Sequence, residues 1–200
     1  MEQKQKSEFT KQLILNESFK LFYSNGFKST SIDKVMLATK LTKGAFYHHY
    51  KNKKELGIAV ISSKVKQRVY DGMIAPLYQP GNAIKILKNT FIERLKSFSI
   101  LEKQHGCPMN NLINEIGDNE TVYQIALKKI IEEWQAALIF LIDRGKSENS
   151  IKKNIESKAV AVYLISAFEG IRGIRKLYTD DAIIDEYISG LSIYLQNLEA

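Results

Sequence analysis

The sequence predicts an all-α protein, and three observations carry that expectation. Apolar residues recur at spacings of three and four along nearly the whole 200-residue chain. No segment alternates apolar and polar residues as a half-buried strand does, and no repeat period is visible. Asn25-Gly26, Gly106-Cys107-Pro108 and Arg144-Gly145 punctuate the apolar stretches where helices are expected to stop. With 44% hydrophobic and 26% charged residues the composition is that of a globular chain rather than a disordered one.

The first helix is predicted from Leu15, Phe19 and Phe22, an i, i+4, i+7 stripe that ends at Asn25-Gly26, because glycine enters the left-handed region without penalty. Thr30-Ser31-Ile32-Asp33 reads as a helix start, with Thr30 or Ser31 capping and Asp33 favourable in the first turn. That second helix is short, ending near Thr39-Lys40, and a third runs from Thr42 to about Tyr50. Asn52-Lys53-Lys54-Glu55 resembles a capping box and opens a fourth helix reaching about Ile74, ahead of Pro76. Residues 82–103 then carry Ile84, Leu87, Phe91, Leu95 and Phe98 at helical spacing, and a short helix over 109–116 follows the Gly-Cys-Pro break. Residues 119–144 carry Tyr123, Leu127, Ile130, Trp134, Leu138 and Leu141 in the same period, and two further helices are expected at about 152–178 and 182–198.

Charge is distributed unevenly over these helices. Residues 1–56 hold 11 lysines and 5 acidic residues, a net of +6 out of +7 for the chain. A solvated lysine face fits that number as well as a polyanion partner does. The polar N-terminus, and the lack of any apolar run near the ~20 residues a bilayer span needs, lead us to expect a soluble, cytoplasmic protein without a membrane partner. Cys107 is the sole cysteine, which excludes a disulfide framework and a multi-cysteine metal cluster.

Two short helices joined by a tight turn, set in the basic quarter after a packing helix, form a helix-turn-helix over about residues 31–50. The reader helix is Thr42-Lys43-Gly44-Ala45-Phe46-Tyr47-His48-His49. Gly44 and Ala45 are small enough for the backbone to approach base edges, Thr42 can bond a phosphate at a helix N-terminus, and Lys43, Tyr47 and His48 have polar tips within reach. Taken singly, each residue also has a structural reading: Phe46, His49 and Tyr50 as packing residues, Lys51, Lys53 and Lys54 as a solvated face.

The constellation as a whole resembles the N-terminal domain of TetR-family (tetracycline-repressor-like) transcriptional regulators. The resemblance runs from Thr10 to Leu56 and rests on Leu21-Phe22, Asn25-Gly26-Phe27, Thr30-Ser31, Val35, Ala38, the run Leu41 to Tyr50, Asn52-Lys53 and Leu56. It implies a DNA-binding domain over 8–68 and an effector-binding, dimerising helical domain over 69–200. It also implies DNA contacts from Ser31, Thr42, Lys43, Gly44, Ala45, Tyr47, His48 and Lys53. The chain departs from the family at Lys40, where glycine is usual, after Thr39 in place of a small alanine.

The partners so implied are a double-stranded operator, a second copy of the chain and a small apolar or aromatic effector. The expected activity is repression relieved by that effector; the alternative is a regulator of the same fold controlled by a protein partner. For the effector pocket the candidates are Phe91, Leu95, Phe98, Met109, Asn110, Trp134 and Phe168, with Asn110, Asn114 and Glu169 as polar anchors; each aromatic also serves as bundle core. Gly170, Gly173 and Gly190 in the last two helices, with Ile171, Ile174, Leu177, Tyr187, Leu191, Tyr194 and Leu198, suggest a dimer interface. No Ser-His-Asp, paired-carboxylate, metal-ligand or phosphate-loop arrangement is present, so neither an enzyme, a cofactor nor a metal is expected, and Cys107 reads as structural.

Overall fold

The computed structural model describes residues 2–118 and 120–200, and over them the chain is helical with no strand. It divides into two compact units, one made of residues up to Gln67 together with Pro108–Lys128, the other of Arg68–Cys107 with Lys129–Ala200.

The first unit begins with α1 (Glu2–Asn25), α2 (Ile32–Thr39), α3 (Lys43–His49) and α4 (Lys53–Val60). Three caps start the short helices: Ser31, Thr42 and Asn52 each accept the N–H of the residue three positions on, which meets one of the donors a helix start leaves open. Of the two capping candidates Ser31 takes the role, while Thr30 is fully buried and donates its hydroxyl to the Gly26 carbonyl at 2.7 Å. Gly26 ends α1 at φ 85°, the left-handed conformation its sequence position demands. Ile14, Phe22, Val35, Phe46 and Leu56 are buried between these helices.

A second stretch of chain completes that core: α9 (Pro108–Ile116) and the first residues of α10 (Thr121–Ser147). Phe27 packs edge-on to Phe22 at 4.8 Å and to Tyr123 at 5.6 Å. Gly57 lets these rings close in, since a Cβ there would stand 2.8 Å from the Phe27 ring.

After α4 the helical path continues through a wide π-turn (Ile61–Val65), α5 (Lys66–Val69), a second π-turn (Tyr70–Ile74) and a 3-10 turn (Ala75–Tyr78). The run from Asn52 reaches Ile74 as expected, and Pro76 sits in the first turn of the 3-10 piece that follows, where its missing N–H costs nothing.

The predicted helix over 82–103 is three pieces: α6 (Ala83–Lys88) and, beyond a π-turn, α7 (Arg94–Ser97), then α8 (Ile100–His105). Phe98 turns extended, and Ser99 with Glu102 forms a capping box that restarts the chain. Gly145 likewise does not end α10. Its missing side chain admits Ala83 and Ile151, whose atoms would lie 2.8 Å from a Cβ. Beyond α10 come α11 (Ser157–Ile174), five residues shorter at its start than expected, and α12 (Ala182–Leu198), as predicted. Trp134, Phe91 and Phe168 form the centre of the second unit, all fully buried.

Candidate nucleic-acid interface

The turn between α2 and α3 is Lys40-Leu41-Thr42. Lys40 adopts φ 57° and ψ 29°, its N–H bonding the Leu37 carbonyl while the Leu41 N–H reaches Met36. These two bonds are those of a Schellman motif with lysine where glycine is usual. Left-handed lysine costs on the order of 1 kcal/mol. Behind the turn, Thr39 is buried and returns its hydroxyl to the Val35 carbonyl at 3.0 Å.

Thr42 then caps α3, accepting the Ala45 N–H at 3.3 Å. Phe46 is fully buried and Tyr50 is 3% exposed, so the inner face of α3 is committed to the core. Thr42, Lys43, Gly44, Tyr47 and His48 are exposed, and Ala45 is half-buried. The spacing of the buried residues thus leaves one outward face carrying five of the eight expected contact residues. Ser31 is exposed at the start of α2.

Two of the expected residues are engaged within the fold. Lys43 pairs with Asp33 of α2 at 2.7 Å, and that hydrogen-bonded carboxylate raises its pKa. Lys53 is half-buried: its ammonium lies 4.4 Å over the Phe27 ring and 3.3 Å from the Lys28 carbonyl. Burial lowers the Lys53 pKa, with Glu115 acting the other way. His49 is held below its ordinary pKa by burial first, then by His48 and Lys11.

Sequence reasoning passed over two features. Glu115, on α9, accepts the N–H of Phe27 at 2.7 Å and of Lys28 at 2.5 Å, just before the helix-turn-helix begins. Its partners lie 87 and 88 residues away, so no local pattern could have singled it out. Leu37 is 81% exposed on α2, an outward apolar residue in a helix whose Val35 and Met36 are buried.

The candidate effector residues separate. Phe91, Trp134 and Phe168 pack ring on ring at 5.4–6.2 Å and fill the core of the second unit. Leu95 and Phe98 border a recess in that unit, while Met109 and Asn110 fall on α9 in the first. Of the expected interface residues, Ile171, Leu191 and Leu198 are buried within the chain itself; Ile174 and Leu177 are exposed. Cys107 is buried and forms no disulfide, and no group of residues suited to a metal ion is found among the described residues. No helix among those residues is long and apolar enough to cross a membrane.

Two family models match the chain: bacterial regulatory proteins, tetR family, over residues 14–60, and the tetracyclin repressor-like C-terminal domain over residues 87–191. The Tn10 transposon TetC protein of Escherichia coli is 31% identical over 152 residues, covering 75% of this chain and 72% of that protein. The HTH-type transcriptional repressor DhaR of a Mycobacterium species (strain GP1) is 22% identical over 181 residues, covering 90% and 88%. The solved structure of a TetR-family transcriptional regulator from Cytophaga hutchinsonii has the same fold, with a TM-score of 0.87 at 22% identity over 98% of this chain and 97% of that one.

Proposed function

The chain belongs to the tetR family of bacterial regulatory proteins, and on that premise we propose that it is a sequence-specific transcriptional repressor released from its operator by a small-molecule effector. The observation that carries the DNA-reading part is the outward face of α3, where Thr42, Lys43, Gly44, Tyr47 and His48 stand exposed over the buried Phe46. An α-helix fits the major groove, so this face can be laid against base edges. Lys43, Gly44, Ala45 and His48 then meet bases; Tyr47 and Lys53 hold the backbone. Ser31 and Thr42 bring two helix N-termini to phosphates.

Residues 8–68 take the DNA-reading role, and 69–200 the dimer and effector roles. Support for a homodimer comes from α11 and α12, where Val162, Tyr163, Ile174 and Ile193 are about half exposed or more. On the same helices, Gly170, Gly173 and Gly190 have open space where a side chain would stand. A dimer places two reader helices in grooves whose centres lie roughly 34 Å apart or a multiple of that. The effector acts through unequal affinity for the DNA-fitting and misfitting conformations. The relative DhaR is a transcriptional repressor, which favours repression over activation, and the compartment for such work is the cytoplasm.

Selecting bound duplexes from a random DNA pool with the purified protein tests the reading. A two-fold-symmetric motif is the expected result. Failure to enrich any motif overturns it.

A further inference from the structure

Asp33 is the only acidic residue between Ser31 and Tyr50, in a quarter of the chain that carries a net charge of +6. A carboxylate on a surface that meets a polyanion weakens the encounter. Its place there is not explained by the fold. Ser31, not Asp33, caps α2 by accepting the Lys34 N–H. The Asp33 side chain is 67% exposed, so it fills no part of the core. Its charge suits the first turn of a helix, but that effect needs no partner on α3.

What the position does provide is reach across the turn. An Asp33 carboxylate oxygen meets the Lys43 ammonium at 2.7 Å. Lys43 is the first residue of α3 and the only lysine or arginine in that helix. The next lysine of α2, Lys34, is held separately and donates to the Ser29 carbonyl at 2.9 Å. The one full cation of the reader helix is therefore matched by an acid from the helix before it. Lys43 is itself 64% exposed, so the pair faces outward and is open to a ligand.

An ammonium has three N–H donors, and Asp33 occupies one of Lys43's. Two remain. Guanine presents two adjacent acceptors, O6 and N7, on an uncharged edge in the major groove. A phosphate instead brings a full negative charge up to the carboxylate, and must displace Asp33 or bear the repulsion.

We propose that Asp33 is a specificity-determining residue that acts through Lys43, holding the lysine away from phosphates and offering it to guanine. This role rests on the DNA-reading function proposed above. It sets the ratio of operator affinity to random-sequence affinity, more than either affinity alone.

Fluorescence anisotropy on the full-length protein tests it, with the selected operator and a random-sequence duplex of equal length, each across a salt series. Asp33→Asn keeps the shape of the side chain and removes its charge. At low salt it is expected to tighten the random duplex about tenfold and the operator about two- to threefold. The salt slope for the random duplex is expected to rise by about one unit, as Lys43 takes up a phosphate. Asp33→Glu is expected to restore the parent ratio, and Asp33→Asn in a Lys43→Met background to leave the slope as it is in Lys43→Met alone. Replacing each operator guanine in turn by 7-deazaguanine, which lacks the N7 acceptor, is expected to expose one position that costs the parent about tenfold and Lys43→Met little.

Equal gains on the two duplexes, an unchanged salt slope, or no guanine position that separates the parent from Lys43→Met overturns the inference and leaves the operator standing. Weaker binding of Asp33→Asn to both duplexes, with a lower melting temperature, makes Asp33 a brace of α2 and overturns it as well. If no operator is selected at all, the DNA-reading function falls, and this role of Asp33 with it.

Discussion

Glu115 holds Phe27 by its backbone: one carboxylate oxygen accepts the Phe27 N–H at 2.7 Å, and the other accepts the Lys28 N–H at 2.5 Å. The segment it fixes leads directly into Ser31, the cap of α2. Glu115→Ala leaves a part-buried donor without its partner, and charge-assisted bonds of this kind are worth about 1–3 kcal/mol. Urea denaturation is expected to show a loss in that range, with weaker operator binding. A loss below about 0.5 kcal/mol would mean water replaces the carboxylate at no cost.

Lys43 pairs with Asp33 in the free protein, and under the proposed function a phosphate or a base acceptor competes for it in the complex. The Asp33 pair is solvent-exposed and screened by water and salt, so it adds little to stability. Asp33→Asn is therefore expected to leave the melting temperature almost unchanged and to tighten DNA binding at low salt, because it frees Lys43 and removes a charge that repels phosphate. Fluorescence anisotropy across a salt series measures this; weaker binding by the variant refutes it.

Lys53 is already engaged with Phe27 and the Lys28 carbonyl. Lys53→Ala is expected to weaken binding to all sequences alike and to lower the slope of log affinity against log salt by about one unit. Since its stem also packs, a modest stability loss accompanies the change. An unchanged slope would assign Lys53 to packing alone.

Lys40 occupies the left-handed residue of a Schellman motif at φ 57°. Lys40→Gly is expected to stabilise the chain by up to about 1 kcal/mol, less the extra freedom glycine gives the unfolded state. Lys40→Ala, which keeps the strain and removes the charge, separates conformation from electrostatics. Thermal melts of the pair decide: only the glycine variant should gain.

Glu169 sets a pH dependence. Its folded carboxyl is raised above the ordinary 4.5 by burial, so the folded chain keeps a proton that the unfolded chain has released. Stability from this group is therefore greatest below 4.5, falls as the pH climbs from 4.5 through the raised folded value, and levels off above it. Glu169→Gln removes that loss. The variant is expected to melt above the parent at about pH 8 and to approach it near about pH 4. A difference independent of pH would show the carboxyl is not the cause.

Local chemistry made much of this legible beforehand. Asn25-Gly26 marked the end of α1, Asn52 with Glu55 the start of α4, and Phe46 could be separated from the outward α3 residues by position alone. The misreadings came at a glycine that meets distant side chains and at a capping signal hidden inside a periodic stretch. Gly145 reads as a stop, yet α10 runs on to Ser147, and the bare glycine instead leaves room for Ala83 and Ile151. Helical spacing from 82 to 103 reads as one helix, yet Ser99 and Glu102 restart the chain.

By itself, then, the sequence determined the helices and the turn of the reader motif, because each depends on residues three or four positions apart, and through composition alone the basic quarter that carries them. Tertiary structure decided which of those residues are free to act. Asp33 engages Lys43, Phe27 engages Lys53, and Glu115 braces the approach to α2. Those outcomes depend on charges and donors brought together by packing, over separations such as the 88 residues between Phe27 and Glu115, that no periodicity encodes.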